Sequence, residues 1–188
     1  MTAITTTRNG IDVAQVYGTL DAIAADPSLA RFEFRVSNRW ITGTHSRSTI
    51  QGFHGAGQED ASREQPFVVD ASEPPVLLGH NEAPNPAELL MHALAGCLTL
   101  TIVNVAAARK VTLTEVTSRL EGELDARGAL GLDDSIRNGF HRLSVAFTVR
   151  GEASPEKLQE IVERAKARSV VYDIVSNGVP VDVTAEVG

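Results

Sequence analysis

The stretch Asn85-Pro86-Ala87-Glu88-Leu89-Leu90-Met91-His92-Ala93-Leu94-Ala95-Gly96-Cys97 begins the part of the chain that decides the fold. Asn85 suits the cap of a helix, Pro86 its first helical position, and Glu88 complements the dipole in the first turn. From Leu89 to Ala108 the chain carries almost no charge, and Arg109-Lys110 then supply cations at the carboxyl end. A run of that length can cross a bilayer. His92, Thr99, Thr101 and Asn104 interrupt it, however, and no aromatic belt flanks it. A helix apolar on every side also fits the centre of a globular core, which is the expectation here; no membrane partner is expected.

Toward the amino terminus, Val13, Val16, Tyr17, Leu20, Ile23 and Ala24 recur at helical spacing, predicting a helix over residues 11–30 with Asp12 as its cap. Residues 1–30 read as an amino-terminal helical extension and 31–188 as the main domain. Arg31 to Val36 alternates, and Thr42 to Phe53 is rich in Thr, Ser and Ile, predicting two antiparallel strands joined near Trp40. Residues 55–65 and 79–86 read as loops, with a short strand at Phe67-Val68-Val69 between them.

Toward the carboxyl terminus, residues 115–125 and 141–150 alternate as strands. Ser154-Pro155-Glu156-Lys157 caps an amphipathic helix bearing Leu158, Ile161, Val162 and Ala165. An apolar turn over 170–175, an Asn177-Gly178 turn and a closing strand over 179–187 complete the pattern. The expected fold is α+β, with antiparallel strands in a six-stranded sheet around one long buried helix. One sheet and one amphipathic helix give that helix little cover, which favours a homodimer.

The 188 residues suit one well-buried domain, and hydrophobic and charged shares of 43% and 22% are those of a globular protein. A net charge of −7 gives no basic footprint for nucleic acid. Met1 to Arg8 lacks a basic start followed by an apolar core, so no signal peptide is expected. A single cysteine excludes an internal disulfide and suits a reducing cytoplasm.

That cysteine is the first candidate for chemistry. A thiol in an apolar helix is by default an inert small hydrophobe, and a nucleophile needs a cation or donor beside it. Leu90, Ala93, Leu94, Leu100, Thr101 and Asn104 share the Cys97 face of an ideal helix, whereas Glu88 falls roughly opposite. Glu88 can pair with His92, four residues on. An activating cation has to come from elsewhere, and Arg35, Arg39 and Arg47 on the early strands are the stock. His45, His54, His80, His92 and His141 show no ligand spacing, so neither a metal nor another cofactor is expected.

The stretch from Asn85 to Cys97, with Asn-Pro, an acidic residue, an apolar run and then small-small-Cys, resembles the OsmC/Ohr-like family. The strand pair, the amphipathic helix and the closing Asn177-Gly-Val-Pro-Val181 strand are similar to the rest of that fold. The likeness spans roughly Arg31 to Gly188. It implies an OsmC-like fold with sheets wrapped around the central helix, and an intertwined homodimer with its sites at the subunit interface. It also implies peroxidase chemistry on organic hydroperoxides. Cys97 matches the peroxidatic position. Arg47, with Arg39 second, matches the arginine that holds the thiolate, and Glu88 stands one place after the family's acidic position, where this chain has Ala87. Ser169 occupies the place of the resolving cysteine. Serine forms no disulfide, so the implied enzyme uses one cysteine and an external thiol reductant. Two other readings stay open. One is a non-catalytic dimer that binds an apolar small molecule in its interface cavity. The other is a stress-associated structural protein.

Overall fold

The computed structural model describes residues 7–188. The first six residues of the extension, and with them most of the segment expected not to be a signal peptide, lie outside the described residues. The chain divides into two units, one of Thr7 and Ile11–His92, the other of Arg8–Gly10 and Ala93–Gly188.

At the start, β1 (Thr7–Arg8) and β2 (Ile11–Asp12) form a two-residue ladder around Asn9-Gly10. Both turn residues have positive φ, 52° and 79°, as a tight hairpin turn requires. Helix α1 (Val13–Ala25) is capped by Asp12 as expected, its Oδ1 accepting from the Ala14 and Gln15 N–H groups at 3.0 and 3.2 Å. It is shorter than the predicted 11–30. Pro27 forces Asp26 out of helical geometry, and a separate 3₁₀ turn follows at Pro27–Ala30.

The strands of the first unit are β3 (Glu33–Phe34), β4 (Ser37–Thr42), β5 (His45–Ile50), β6 (Phe53–Gly55), β7 (Gln58–Asp60) and β8 (Phe67–Ala71). They make two antiparallel three-stranded sheets, β3-β6-β7 and β4-β5-β8. This corrects two expectations. Trp40 lies inside β4, and the reversal comes at Gly43, whose carbonyl accepts from Trp40 Nε1 at 3.0 Å. The segment expected as a loop over 55–65 contains a hairpin, because Ala56 and Gly57 take positive φ of 51° and 79° and return the chain onto β6.

Helix α2 (Pro86–Ala108) begins in the first unit and continues through the second. Its start is a capping box. Asn85 Oδ1 accepts from the Ala87 N–H at 2.7 Å, and Glu88 Oε2 accepts from the Asn85 N–H at 2.8 Å. Its end is a Schellman turn with Lys110 left-handed at φ 60°. There the Val111 N–H reaches the Ala106 carbonyl at 2.9 Å and the Lys110 N–H the Ala107 carbonyl at 3.0 Å.

Beyond it come β9 (Leu113–Glu123), α3 (Ala126–Ala129), β10 (Arg142–Gly151), α4 (Pro155–Lys166) and α5 (Val170–Asn177). Strands β9 and β10 pair antiparallel along their length, placing Val149 opposite Val116 and Phe147 opposite Ser118. Their apolar side meets Ile102, Val105 and Ala106 of α2 and Ile161 and Ala165 of α4 in one core. By length and composition α2 is a helix able to cross a membrane, but Leu94, Leu98, Ile102, Val105, Ala106 and Ala107 are buried in protein.

Two further expectations change in this unit. Residues 170–177 are a helix, α5, because Ser169 supplies a cap that turns the apolar run into helical geometry. Residues 179–187 alternate as a strand does, yet form none, since a strand exists only where a neighbour completes its ladder. Among the described residues the single six-stranded sheet is replaced by four small ones.

Candidate functional site

Cys97 lies in the second unit, half-buried near the middle of α2. Facing it is the amino end of α5. Ser169 Oγ donates to Cys97 Sγ at 3.2 Å and accepts from the Tyr172 N–H at 3.3 Å. Its one hydroxyl proton and one of its lone pairs are thereby used, and the side chain is 2% exposed. One turn along α2, Thr101 Oγ1 donates to the Cys97 carbonyl at 2.7 Å, consistent with the shared face expected for these two residues.

Two opposing effects act on the thiol. Burial pushes its pKa up. The Ser169 hydroxyl and the N–H groups of Val171 and Val170 favour the thiolate, with Thr101 contributing last, and the balance falls below the ordinary thiol value. Backbone N–H groups at a helix start are free to do this because they have no partner within the helix. The arrangement is that of a stabilised sulfur nucleophile.

The arginines are placed in the first unit. Arg47 on β5 stands in register between Arg39 on β4 and Asp70 on β8. It donates through Nε and Nη2 to the two Asp70 carboxylate oxygens at 2.7 and 2.8 Å, and His45 Nε2 lies 3.1 Å from Asp70 Oδ2. The Arg47 guanidinium holds the Asp70 carboxyl well below the usual carboxylate range, against an opposing push from burial, and His45 adds to the lowering. Arg39 is exposed on β4.

Glu88, the acidic residue nearest the expected position, is engaged in the α2 capping box. Asp70 carries no sequence signal beyond being an acidic residue in a short apolar strand. Ser169 is legible in the sequence only as a replacement for a thiol. Its contact with Cys97 spans 72 positions, and the only local hint was a serine preceding an apolar run.

The segment leading into α2 is tied to the end of β8. Ser72 Oγ donates to Glu82 Oε2 at 2.5 Å, the Ser72 N–H donates to the Pro84 carbonyl at 3.2 Å, and Asn85 Nδ2 donates to Glu73. Among the described residues no group of three or more His, Cys, Asp or Glu side chains is placed to hold a metal ion. The second unit also holds an open groove of about 680 Å³, lined by Leu98, Val145, Phe147 and Leu158 among others, with Lys166 and Tyr172 beside them.

The family of OsmC-like proteins matches residues 79–184, more than half of the chain. No curated protein matches. Among solved structures, an OsmC-like protein from Mycoplasma pneumoniae is 12% identical with a TM-score of 0.56, over 77% of this chain and 88% of that one. An OsmC-like protein of unknown function from Vibrio cholerae is 15% identical with a TM-score of 0.52, over 77% and 94%. A looser overlay, with a TM-score of 0.47 at 19% identity over 74% and 93%, is found with an organic hydroperoxide resistance protein from Legionella pneumophila.

Proposed function

The chain belongs to the OsmC-like family, and from that premise we propose that it is a one-cysteine, thiol-dependent peroxidase that reduces organic hydroperoxides. The observation that carries this reading is the environment of Cys97, a half-buried thiol whose sulfur accepts from the Ser169 hydroxyl at 3.2 Å and whose pKa is held below its ordinary value. In the first step the Cys97 thiolate attacks the terminal oxygen of the hydroperoxide. The O–O bond breaks, the alkoxide leaves and takes a proton as the alcohol, and Cys97 becomes a sulfenic acid. An external thiol then displaces water to give a mixed disulfide. A second equivalent releases Cys97 as the thiolate and leaves as a small-molecule disulfide, the two thiols having supplied the two electrons that reduced the peroxide. Arg47, fixed by Asp70, is the cation this reading reserves for the reacting anion, with Arg39 second.

The reading includes a homodimer in the cytoplasm, where a thiol pool is available. Among the described residues no hydrophobic side chain of the first unit is fully buried, while Phe32, Phe34, Trp40 and Phe67 are exposed. Leu90 and Leu100 on α2 are exposed as well. Apolar area on that scale calls for a partner surface. The extension at residues 1–30 is in this account an addition to an OsmC-like domain over 31–188.

The test is consumption of cumene hydroperoxide with dithiothreitol as reductant. Wild-type protein turns over, and Cys97→Ser falls to the uncatalysed rate. Equal slow rates for the two proteins reject the peroxidase. A second reading rests on the 680 Å³ groove, which suits an apolar small molecule bound without chemistry. Ligand binding that persists in Cys97→Ser, with no turnover in either protein, favours it.

A further inference from the structure

We propose that Ser169 is a positioning residue for Cys97, and that its hydroxyl, at the start of α5, receives the sulfur anion within a single protomer, wherever the arginines lie. The inference rests on the peroxidase reading for its chemistry and on the geometry around the sulfur for its substance. Ser169 stands where the resemblance places a second thiol, yet its hydroxyl does not resolve a sulfenic acid. Its side chain is almost wholly buried, and its only proton points at Cys97 Sγ over 3.2 Å. The same oxygen caps α5 by accepting from Tyr172. One side chain therefore fixes the helix start and donates to the sulfur.

This placement matters at two points in the cycle. When Cys97 attacks the hydroperoxide it must be an anion, and donors that favour the thiolate raise its population at neutral pH. When a second external thiolate attacks the outer sulfur of the mixed disulfide, a new S–S bond forms between the two external sulfurs, the bond to Cys97 breaks, and Cys97 leaves with the electron pair. A lower leaving-thiol pKa speeds that step, and the same donors receive the departing anion. Replacing a resolving thiol by serine thus removes one chemistry and favours another, release by a free thiol. Hydrogen bonds to a charged partner are stronger than those between neutral groups, which is why one hydroxyl has a readable effect.

The single cysteine makes the test specific, because iodoacetamide alkylation reports Cys97 alone. The pH dependence of the alkylation rate gives the thiol pKa, and the pH profile of hydroperoxide turnover is measured beside it. Ser169→Gly is the principal variant, since glycine caps a helix nearly as well as serine and the substitution removes the hydroxymethyl group that donates to the sulfur. Ser169→Thr restores both oxygen and cap.

The expected result is a wild-type midpoint below that of an ordinary cysteine. It should rise by about one pH unit in Ser169→Gly, as loss of one hydrogen bond to an anion implies, and return toward wild type in Ser169→Thr. The lower limb of the turnover profile should move with it. An unchanged midpoint in a folded Ser169→Gly protein overturns the proposal, even if Cys97-dependent turnover is intact. A midpoint that moves as stated while no hydroperoxide is consumed upholds the positioning role and rejects the peroxidase.

Discussion

At residue scale the decisive pair is Cys97 and Ser169, 3.2 Å apart from sulfur to oxygen. That separation leaves room for a second sulfur at position 169 to close an S–S bond of about 2.05 Å with a small shift of one side chain. In Ser169→Cys, one equivalent of hydroperoxide should therefore give a disulfide, the sulfenic acid losing water to the neighbouring thiol. Mass spectrometry should find two fewer hydrogens and no dimedone adduct, whereas the wild type under the same treatment should be trapped by dimedone. A dimedone adduct on both proteins would show that residue 169 does not face the sulfur. The sequence made half of this site legible. The stretch from Asn85 to Cys97 pointed to the thiol, and Ser169 was visible as a substitution. What faces the thiol was not legible, because a hydroxyl donating across 72 positions leaves no local pattern. The same is true of Asp70, which meets Arg47 only through the register of β5 and β8.

Helices α2 and α4 show what an element's own signals do and do not settle. Caps are local, so Asn85, Asp12 and Ser154 marked their helices correctly, and the helical pattern from Leu158 to Ala165 marked the face that α4 buries. Two variants of α4 separate cap from core. Ser154→Ala removes an acceptor for the Lys157 N–H at 3.3 Å and should cost about 1 kcal/mol. Ile161→Ala empties a fully buried position and should cost about 2–5 kcal/mol. Urea unfolding should show both as lower midpoints with unchanged slope, the second shift clearly larger. Comparable shifts would mean that α4 is held by its end more than by its face. Sheet pairing, by contrast, is not local. Strands β3, β6 and β7 have two or three residues each, too few to show a period, and the reversal at Ala56-Gly57 depends on left-handed backbone at a non-glycine residue.

For the whole molecule the question is what covers the apolar surface, and residues 179–187 bear on it most directly. Val179, Val181, Val183 and Val187 follow the spacing of a strand, and the last two are 86% and 90% exposed. A segment patterned for a sheet and left without a ladder offers unpaired backbone donors and acceptors to another chain. The strand expected over 179–187 does not form, and among the described residues no neighbour pairs with this segment. If a second copy does, full-length protein should sediment as a dimer at micromolar concentration. Ending the chain after Gly178 should then raise the dimer dissociation constant by at least tenfold, the equivalent of about 1.4 kcal/mol. Far-ultraviolet circular dichroism of the full-length protein should also lose strand signal on dilution to the monomer. A full-length protein that is monomeric at every concentration would remove the homodimer. An unchanged dimer in the shortened chain would place the interface on the exposed aromatic side chains of the first unit instead.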